Sequence, residues 1–213
     1  MSFINKVSGM QLDILKEIGN IGAGHAATAL SVMLDKKVEM NVPDVQVVTF
    51  DEMMELAGGA ESLAAGIFLR IEGDAPGSMF FMLPIRHAER FIREMIGDSG
   101  YSIDSAPPNE IALSALQELG NILSGAYLSS LSDFTNLALY PSVPALSIDM
   151  AGAIISFGLI ELSQAGDYAI VINTVLNDLD SEDEEIVQGS FFLLPDPESF
   201  QTIFKALGVS ENG

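Results

Sequence analysis

The residues best suited to chemistry in this chain lie near its start. Asp13, Glu17, Asn20 and Gly24 follow one another at steps of four, three and four. Residues at these spacings share one face of an α-helix. We therefore predict a helical stripe, the first stripe, that presents two carboxylates, an amide and a position without a side chain.

The same pattern returns 101 residues later. The stretch DILKEIGNIGAGHAATAL, from Asp13 to Leu30, aligns with SALQELGNILSGAYLSSL, from Ser114 to Leu131. A match at a fixed offset indicates an internal repeat. The second stripe consists of Ser114, Glu118, Asn121 and Gly125, and Pro43 of the first copy aligns with Pro144 of the second.

Two interpretations of Gly24 and Gly125 remain open. Glycine inside a helix costs about 0.5–1 kcal/mol relative to alanine, so its recurrence suggests close approach by another surface. Alternatively, both glycines pack against a neighbouring helix or strand. Buried packing would explain the carboxylates Glu17 and Glu118 poorly.

The cluster of glycines from Gly19 to Gly24 does not resemble a nucleotide-binding loop. A dinucleotide fingerprint has the order Gly-x-Gly-x-x-Gly directly after a strand, whereas here the order is Gly-x-x-Gly-x-Gly within a helical pattern. The second copy carries Leu123 where the first has Gly22. We therefore expect Gly22 to be dispensable.

Composition excludes several classes of function. The formal net charge of −21 opposes binding to nucleic acid or to an anionic membrane. The chain has no cysteine, which excludes disulfides and thiol catalysis, and its two histidines, His25 and His87, are isolated. We expect no metal site in this chain. No apolar run reaches the roughly 18 residues that span a bilayer, and no secretory signal is visible, so we expect a cytoplasmic protein.

Hydrophobic periodicity predicts two long helices and several strands. Ser8 and Gln11 form a candidate capping box before the first helix, and Pro107 to Asn109 precede the second. The predicted strands are VEMNVPDVQVVTF, AAGIFLRIEG, GSMFFMLP, LALYPSVPALSIDM, GAIISFGLIEL, DYAIVINTV and QGSFFLLP. Turns are expected at Asp74 to Gly77 and at Ala165 and Gly166, and a solvated acidic loop from Asn177 to Glu185. Closing helices are PIRHAERFIREMIG and PDPESFQTIFKALG.

These elements predict an α+β fold. We expect one internally duplicated domain with pseudo-two-fold symmetry, in which long helices pack on a mainly antiparallel sheet. The repeats are assigned to residues 1–100 and 101–213. The stretch from Gly97 to Asn109 is the only plausible seam between them.

The stripes and prolines together resemble the CheC-type phosphatases of bacterial chemotaxis, a family that includes CheC, CheX and FliY. The family pattern is Asp/Ser-x3-Glu-x2-Asn-x22-Pro. Asp13, Glu17, Asn20 and Pro43 match it, as do Ser114, Glu118, Asn121 and Pro144. The resemblance covers essentially the whole chain, including its duplication.

The resemblance implies hydrolysis of the aspartyl phosphate on the phosphorylated response regulator CheY, with Mg²⁺ held by the regulator. Asn20 and Asn121 would each position the attacking water, because an amide both donates and accepts hydrogen bonds. Glu17 and Glu118 would pair with a lysine or arginine of the regulator. Asp13 and Ser114 would support the helix face or contact the partner, and the two prolines would shape the strands that follow the helices.

The resemblance also implies a second partner, the receptor deamidase CheD. Asp149 is the only charged residue between Val143 and Ile160. It is a candidate for the CheD-binding surface, although a turn or a satisfied buried acid would explain it equally well. We expect a monomer in the absence of CheD. Two alternatives to a phosphatase are a regulator that sequesters CheD and a structural flagellar component without activity.

Overall fold

A computed structural model describes residues 7–103, 110–161, 168–178 and 186–208. The predicted turn at Ala165 and Gly166 and most of the predicted acidic loop lie outside these ranges. Within the described ranges, no helix combines the length and the apolar character needed to cross a membrane.

Two helices of 26 residues each carry the stripes. Helix α1 spans Gly9–Leu34 and begins with the predicted capping box, in which Ser8 Oγ accepts from the Gln11 amide and Gln11 Oε1 accepts from the Ser8 amide. It ends at Asp35, which adopts a left-handed conformation with φ of 50°. Helix α4 spans Glu110–Thr135. Shorter helices are α2 (Phe50–Leu56), α3 (Ile85–Ile96), α5 (Ala151–Glu161) and α6 (Pro197–Ala206).

Within the described residues, seven strands form one sheet in which every pairing is antiparallel. They are β1 (Val38–Thr49), β2 (Leu63–Gly73), β3 (Gly77–Pro84), β4 (Leu139–Pro141), β5 (Ala145–Met150), β6 (Tyr168–Asp178) and β7 (Ile186–Pro195). The order is β1-β6-β7-β3-β2, and both β4 and β5 pair with β2. The two repeats have equivalent strands: β1 corresponds to β4 and β5, β2 to β6, and β3 to β7. When equivalent strands are exchanged, the strand order is the same from either end of the sheet. The predicted α+β duplication with pseudo-two-fold symmetry is therefore confirmed.

Helices cover both faces of the sheet. Successive strand residues point to opposite faces, so Phe81 and Phe191 join the core beneath α1, α3, α4 and α6, while Phe80 and Phe192 join a second core beneath α2 and α5. The first core is the larger of the two. The two long helices thus lie side by side on one face of the sheet.

The strand prediction for GAIISFGLIEL is wrong, because its described residues, Gly152 to Glu161, lie in helix α5. Short apolar runs do not distinguish a buried strand from a helix, and its isoleucines favoured a strand. The helix is stabilised from outside the segment: its first amides, on Ala151 and Gly152, donate to the carbonyls of Ser62 and Ala60. Helix α2 was also missed. The first strand ends at Thr49, one residue before the predicted end at Phe50, because a capping box between Thr49 and Glu52 starts α2 at Phe50.

Candidate functional site

The first stripe lies on the solvent side of α1. Asp13 and Glu17 are exposed, and Gly24 is exposed with no atom within 4 Å of a Cβ built on it. Asn20 differs from its neighbours because it is half-buried. The structure therefore brings the four predicted residues onto one face but turns the amide inward.

The side chain of Asn20 is bonded to strand β1. Its Oδ1 accepts from the Val42 amide at 2.9 Å, and its Nδ2 donates to the Val42 carbonyl at 3.3 Å and to the Lys16 carbonyl at 3.0 Å. Pro43 follows directly, where the pairing of β1 with β6 shifts register between Asn41 and Asp44. Proline has no amide to donate, which suits an irregular position in a strand.

The second stripe lies on α4 and is more open. Ser114, Glu118 and Asn121 are all exposed, and Gly125 again has no atom within 4 Å of a built Cβ. The Asn121 Nδ2 donates to Glu118 Oε2 at 3.4 Å. Pro144 lies between β4 and β5 rather than within a strand.

The glycines of the two helices divide into two kinds. Gly24 and Gly125 have open space in front of them, so neither packs against a neighbouring element. A Cβ on Gly19 would lie 3.3 Å from Val42 Cγ2, and one on Gly120 would lie 2.6 Å from Ile67 Cγ2. These two glycines let the helices approach the sheet closely.

The expectation that Gly22 is dispensable is wrong. A Cβ at this position would lie 3.1 Å from Tyr127 Cα and 3.2 Å from the Ala126 carbonyl oxygen, both on α4. Gly22 therefore permits the close packing of α1 against α4. Leu123 occupies the equivalent position in α4 and is buried, so the two helices contribute different residues to their shared interface.

A buried polar pair joins helix α4 to strand β6 within the second half of the chain. The hydroxyl groups of Tyr127 and Thr174 lie 2.9 Å apart, and Tyr127 meets the ring of Phe191 edge-on at 4.6 Å. Burial raises the pKa of Tyr127 to about 12, while the hydrogen bond with Thr174 acts in the opposite direction. Sequence patterns gave no signal for this contact, because it joins positions 47 residues apart.

Three further residues considered in the sequence are Asp149, His25 and His87, of which His25 directly follows Gly24 on α1. Asp149 is exposed on edge strand β5, paired with Ala64, and its Oδ1 accepts from the Met150 amide at 2.7 Å. It is therefore not a buried acid. His25 is exposed on α1, and His87 Nδ1 accepts from the Gln188 amide at 3.4 Å. Within the described part of the chain, no group of three or more His, Asp or Glu side chains is placed to hold a metal ion.

The fold defines a class of duplicated α+β domains that also includes solved structures of FliY and FliM. FliY from Thermotoga maritima superimposes with a TM-score of 0.70 at 18% identity, covering 95% of this chain and 98% of that one. The FliM middle domain from H. pylori gives a TM-score of 0.67 at 14% identity, covering 94% and 99%. At these identities the similarity establishes the fold alone.

Sequence comparison gives the family. The model of the CheC-like family matches residues 10–47 and 111–148, which contain both stripes and both prolines. The CheY-P phosphatase CheC of Bacillus subtilis is 50% identical over 210 residues, covering 99% of this chain and 100% of its own. The flagellar motor switch phosphatase FliY of Bacillus subtilis is 31% identical over 145 residues, covering 68% of this chain and 37% of its own. The chain belongs to the CheC-like family.

Proposed function

We propose that this protein is a phosphatase that hydrolyses the aspartyl phosphate of phosphorylated CheY. The observation that carries the proposal is the pair of Glu and Asn residues on each long helix, with Glu17, Glu118 and Asn121 exposed to an approaching partner. Similarity to the CheY-P phosphatase CheC over the full length of both chains supports the same activity.

The reaction needs little more than a positioned water. An acyl phosphate already has a good leaving group, so catalysis consists mainly of placing water in line with the bond to be broken. The water oxygen attacks phosphorus, the bond between phosphorus and the aspartyl oxygen breaks, and inorganic phosphate leaves. In the proposed mechanism the amide of Asn121, and that of Asn20 where it is accessible, holds this water.

The carboxylates would orient the partner. Glu17 and Glu118 each lie one helical turn before the asparagine, where a carboxylate can pair with a lysine or arginine on CheY. The formal net charge of −21 would attract a basic surface over longer distances. Asp13 and Ser114 extend the same exposed faces toward the beginnings of the helices.

We place the required Mg²⁺ on CheY rather than on this chain. The described acidic residues form no metal-binding group. We also propose that the protein acts in the cytoplasm as a monomer when CheD is absent.

The test is release of inorganic phosphate from phosphorylated CheY, measured above the spontaneous hydrolysis of CheY alone. The double variant Asn20→Ala with Asn121→Ala is expected to lose the activity, because neither helix can then position water. Each tenfold loss corresponds to about 1.4 kcal/mol in the barrier.

Asn173→Ala is the matched control, since this asparagine projects from β6 on the opposite sheet face to Thr174 and the long helices. It is expected to release phosphate at the wild-type rate. A double variant that also retains the wild-type rate would disprove the proposed mechanism.

A second proposed role is binding of CheD. Next to Asp149 along the edge of the sheet, the large apolar side chains of Leu63 and Met150 are also exposed. Leu63 pairs directly with Met150 across β2 and β5. Exposed apolar residues beside a carboxylate are typical of a protein-binding surface.

Asp149→Lys is expected to weaken capture of CheD by this protein. Glu39→Lys, an equivalent charge reversal on the exposed opposite edge strand β1, serves as the control. If CheD binding is the same for Asp149→Lys and for the wild type, Asp149 does not belong to the CheD surface. A purely structural role, suggested by the fold shared with FliM, would instead leave the protein without phosphatase activity.

A further inference from the structure

The two stripes carry the same residue types but hold their asparagines differently. Both hydrogens of the Asn20 Nδ2 have main-chain acceptors, the Val42 and Lys16 carbonyls, and Oδ1 accepts from the Val42 amide. A carboxamide has two donor hydrogens and two acceptor lone pairs. Asn20 therefore has no donor left for water while these bonds persist.

Asn121 is not held in this way. Its side chain is exposed and makes one long hydrogen bond, to Glu118 Oε2 at 3.4 Å, among the described residues. Its Oδ1 makes no hydrogen bond to described protein atoms, and its second Nδ2 hydrogen points to no such acceptor. The amide can therefore accept from water and donate to it without breaking a main-chain bond.

The difference originates in the residue before each proline. Val42, which precedes Pro43, is 2% exposed and lies under Gly19 of α1. Val143, which precedes Pro144 at the equivalent position, is 90% exposed. The main chain of Val42 therefore lies against its helix, and that of Val143 turns away from its own.

A serine explains why the second strand turns outward. Ser142 Oγ accepts from the Arg70 amide at 2.9 Å, and the Ser142 amide donates to the Arg70 carbonyl at 2.8 Å. These bonds occupy the main chain of β2 at the point where β4 ends, at Pro141, and pairing resumes only at Ala145. Strand β1, by contrast, continues as one strand from Val38 to Thr49 through its register shift between Asn41 and Asp44.

We infer that the two sites are unequal. The site of Glu118 and Asn121 is ready to position water, whereas Asn20 holds strand β1 on helix α1 and is available only after Val42 separates from it. This inference rests on the proposed phosphatase activity. It assigns Asn20 a positioning role in the fold that Asn121 does not have.

The test compares single variants by two measurements, phosphate release from phosphorylated CheY and melting temperature. Asn121→Ala is expected to lower kcat at least tenfold and leave the melting temperature unchanged. Asn20→Ala is expected to lower the melting temperature and to lower kcat less than threefold per folded molecule. The inference is overturned if Asn20→Ala loses as much activity as Asn121→Ala and melts like the wild type.

A second pair of variants covers the case in which Asn20→Ala does not fold. Glu17→Gln and Glu118→Gln remove a charge from each stripe without touching Val42. Glu118→Gln is expected to lower activity more than Glu17→Gln, and equal losses would contradict unequal sites. Equal losses of activity in the two variants would still be consistent with a phosphatase. The phosphatase itself would be refuted by wild-type rates of phosphate release in all these variants and in the double asparagine variant.

Discussion

At the residue scale, the hydrogen bond between Tyr127 and Thr174 links helix α4 to strand β6 inside the core. A buried hydroxyl group without a partner costs about 1–3 kcal/mol, so each of these two groups satisfies the other. At the edge of the core, the side chain of Asn20 likewise forms hydrogen bonds with the Val42 amide and carbonyl. Both contacts tie a long helix to a strand through a polar side chain.

Tyr127→Phe is expected to lower the free energy of unfolding by about 1–2 kcal/mol near pH 7. Thr174 then loses its 2.9 Å hydrogen bond and keeps only a 3.4 Å bond to the Ile172 carbonyl. Tyr127 has a pKa of about 12 in the folded protein, above the usual value of 10, so its neutral form is favoured by folding. The contribution of Tyr127 to the free energy of unfolding is complete below pH 10 and is lost as the pH rises toward 12. The difference in the free energy of unfolding between the wild type and Tyr127→Phe should therefore decrease between pH 10 and pH 12.

Urea unfolding at pH 7 and at several values above pH 10 measures both effects. Tyr140→Phe is the control, because Tyr140 is exposed on β4. An identical free energy of unfolding for Tyr127→Phe and the wild type at pH 7 would show that the buried bond contributes nothing.

At the scale of elements, the contact between α1 and α4 decides how the two stripes are arranged. Gly22 lets the helices approach because any side chain there would meet the main chain of Tyr127 and Ala126. The main chain of a packed helix cannot move aside as the end of a flexible side chain can. The spacing of the two stripes across the helix layer therefore depends on one glycine.

Gly22→Ala and Gly24→Ala form a matched pair that tests this contact. Gly24→Ala is expected to raise the free energy of unfolding by about 0.5–1 kcal/mol, since alanine favours the helix and the site is open. Gly22→Ala gains the same helix preference but must separate the helices, and overpacking typically costs about 1–3 kcal/mol. Chemical denaturation should show Gly22→Ala to be the less stable variant, and equal stabilisation of both would contradict a close helix contact.

At the scale of the whole molecule, the two halves are interleaved. Strand β1 of the first half pairs with β6 of the second, and β4 and β5 of the second half pair with β2 of the first. The centre of the sheet is the pairing of β3 with β7. The first half thus contributes its first strand, and the second half its first two, to pairings with the other half, which makes the duplicated chain one structural unit. The boundary between residues 100 and 101 remains a prediction from the repeat.

Much of the fold was predictable because its signals are local. The capping box of Ser8 and Gln11 and the 3.6-residue periodicity determine α1 within a few turns of chain. Short runs rich in β-branched and aromatic residues, bounded by turn residues, predict most strands. The stripes followed from spacing along a helix, because Asp13, Glu17, Asn20 and Gly24 share a face in any α-helix.

The sequence by itself determined the duplication, the helix faces and the residues they present, since all of these follow from spacing along the chain. Tertiary structure alone decided that the segment from Ala151 is a helix, that Gly22 lies between two helices, and that Val42 is buried while Val143 is exposed. Both valines precede a proline at the same distance from an asparagine, so no local pattern distinguishes them. The distinction depends on the strand each segment pairs with, and that partner lies far away in the sequence.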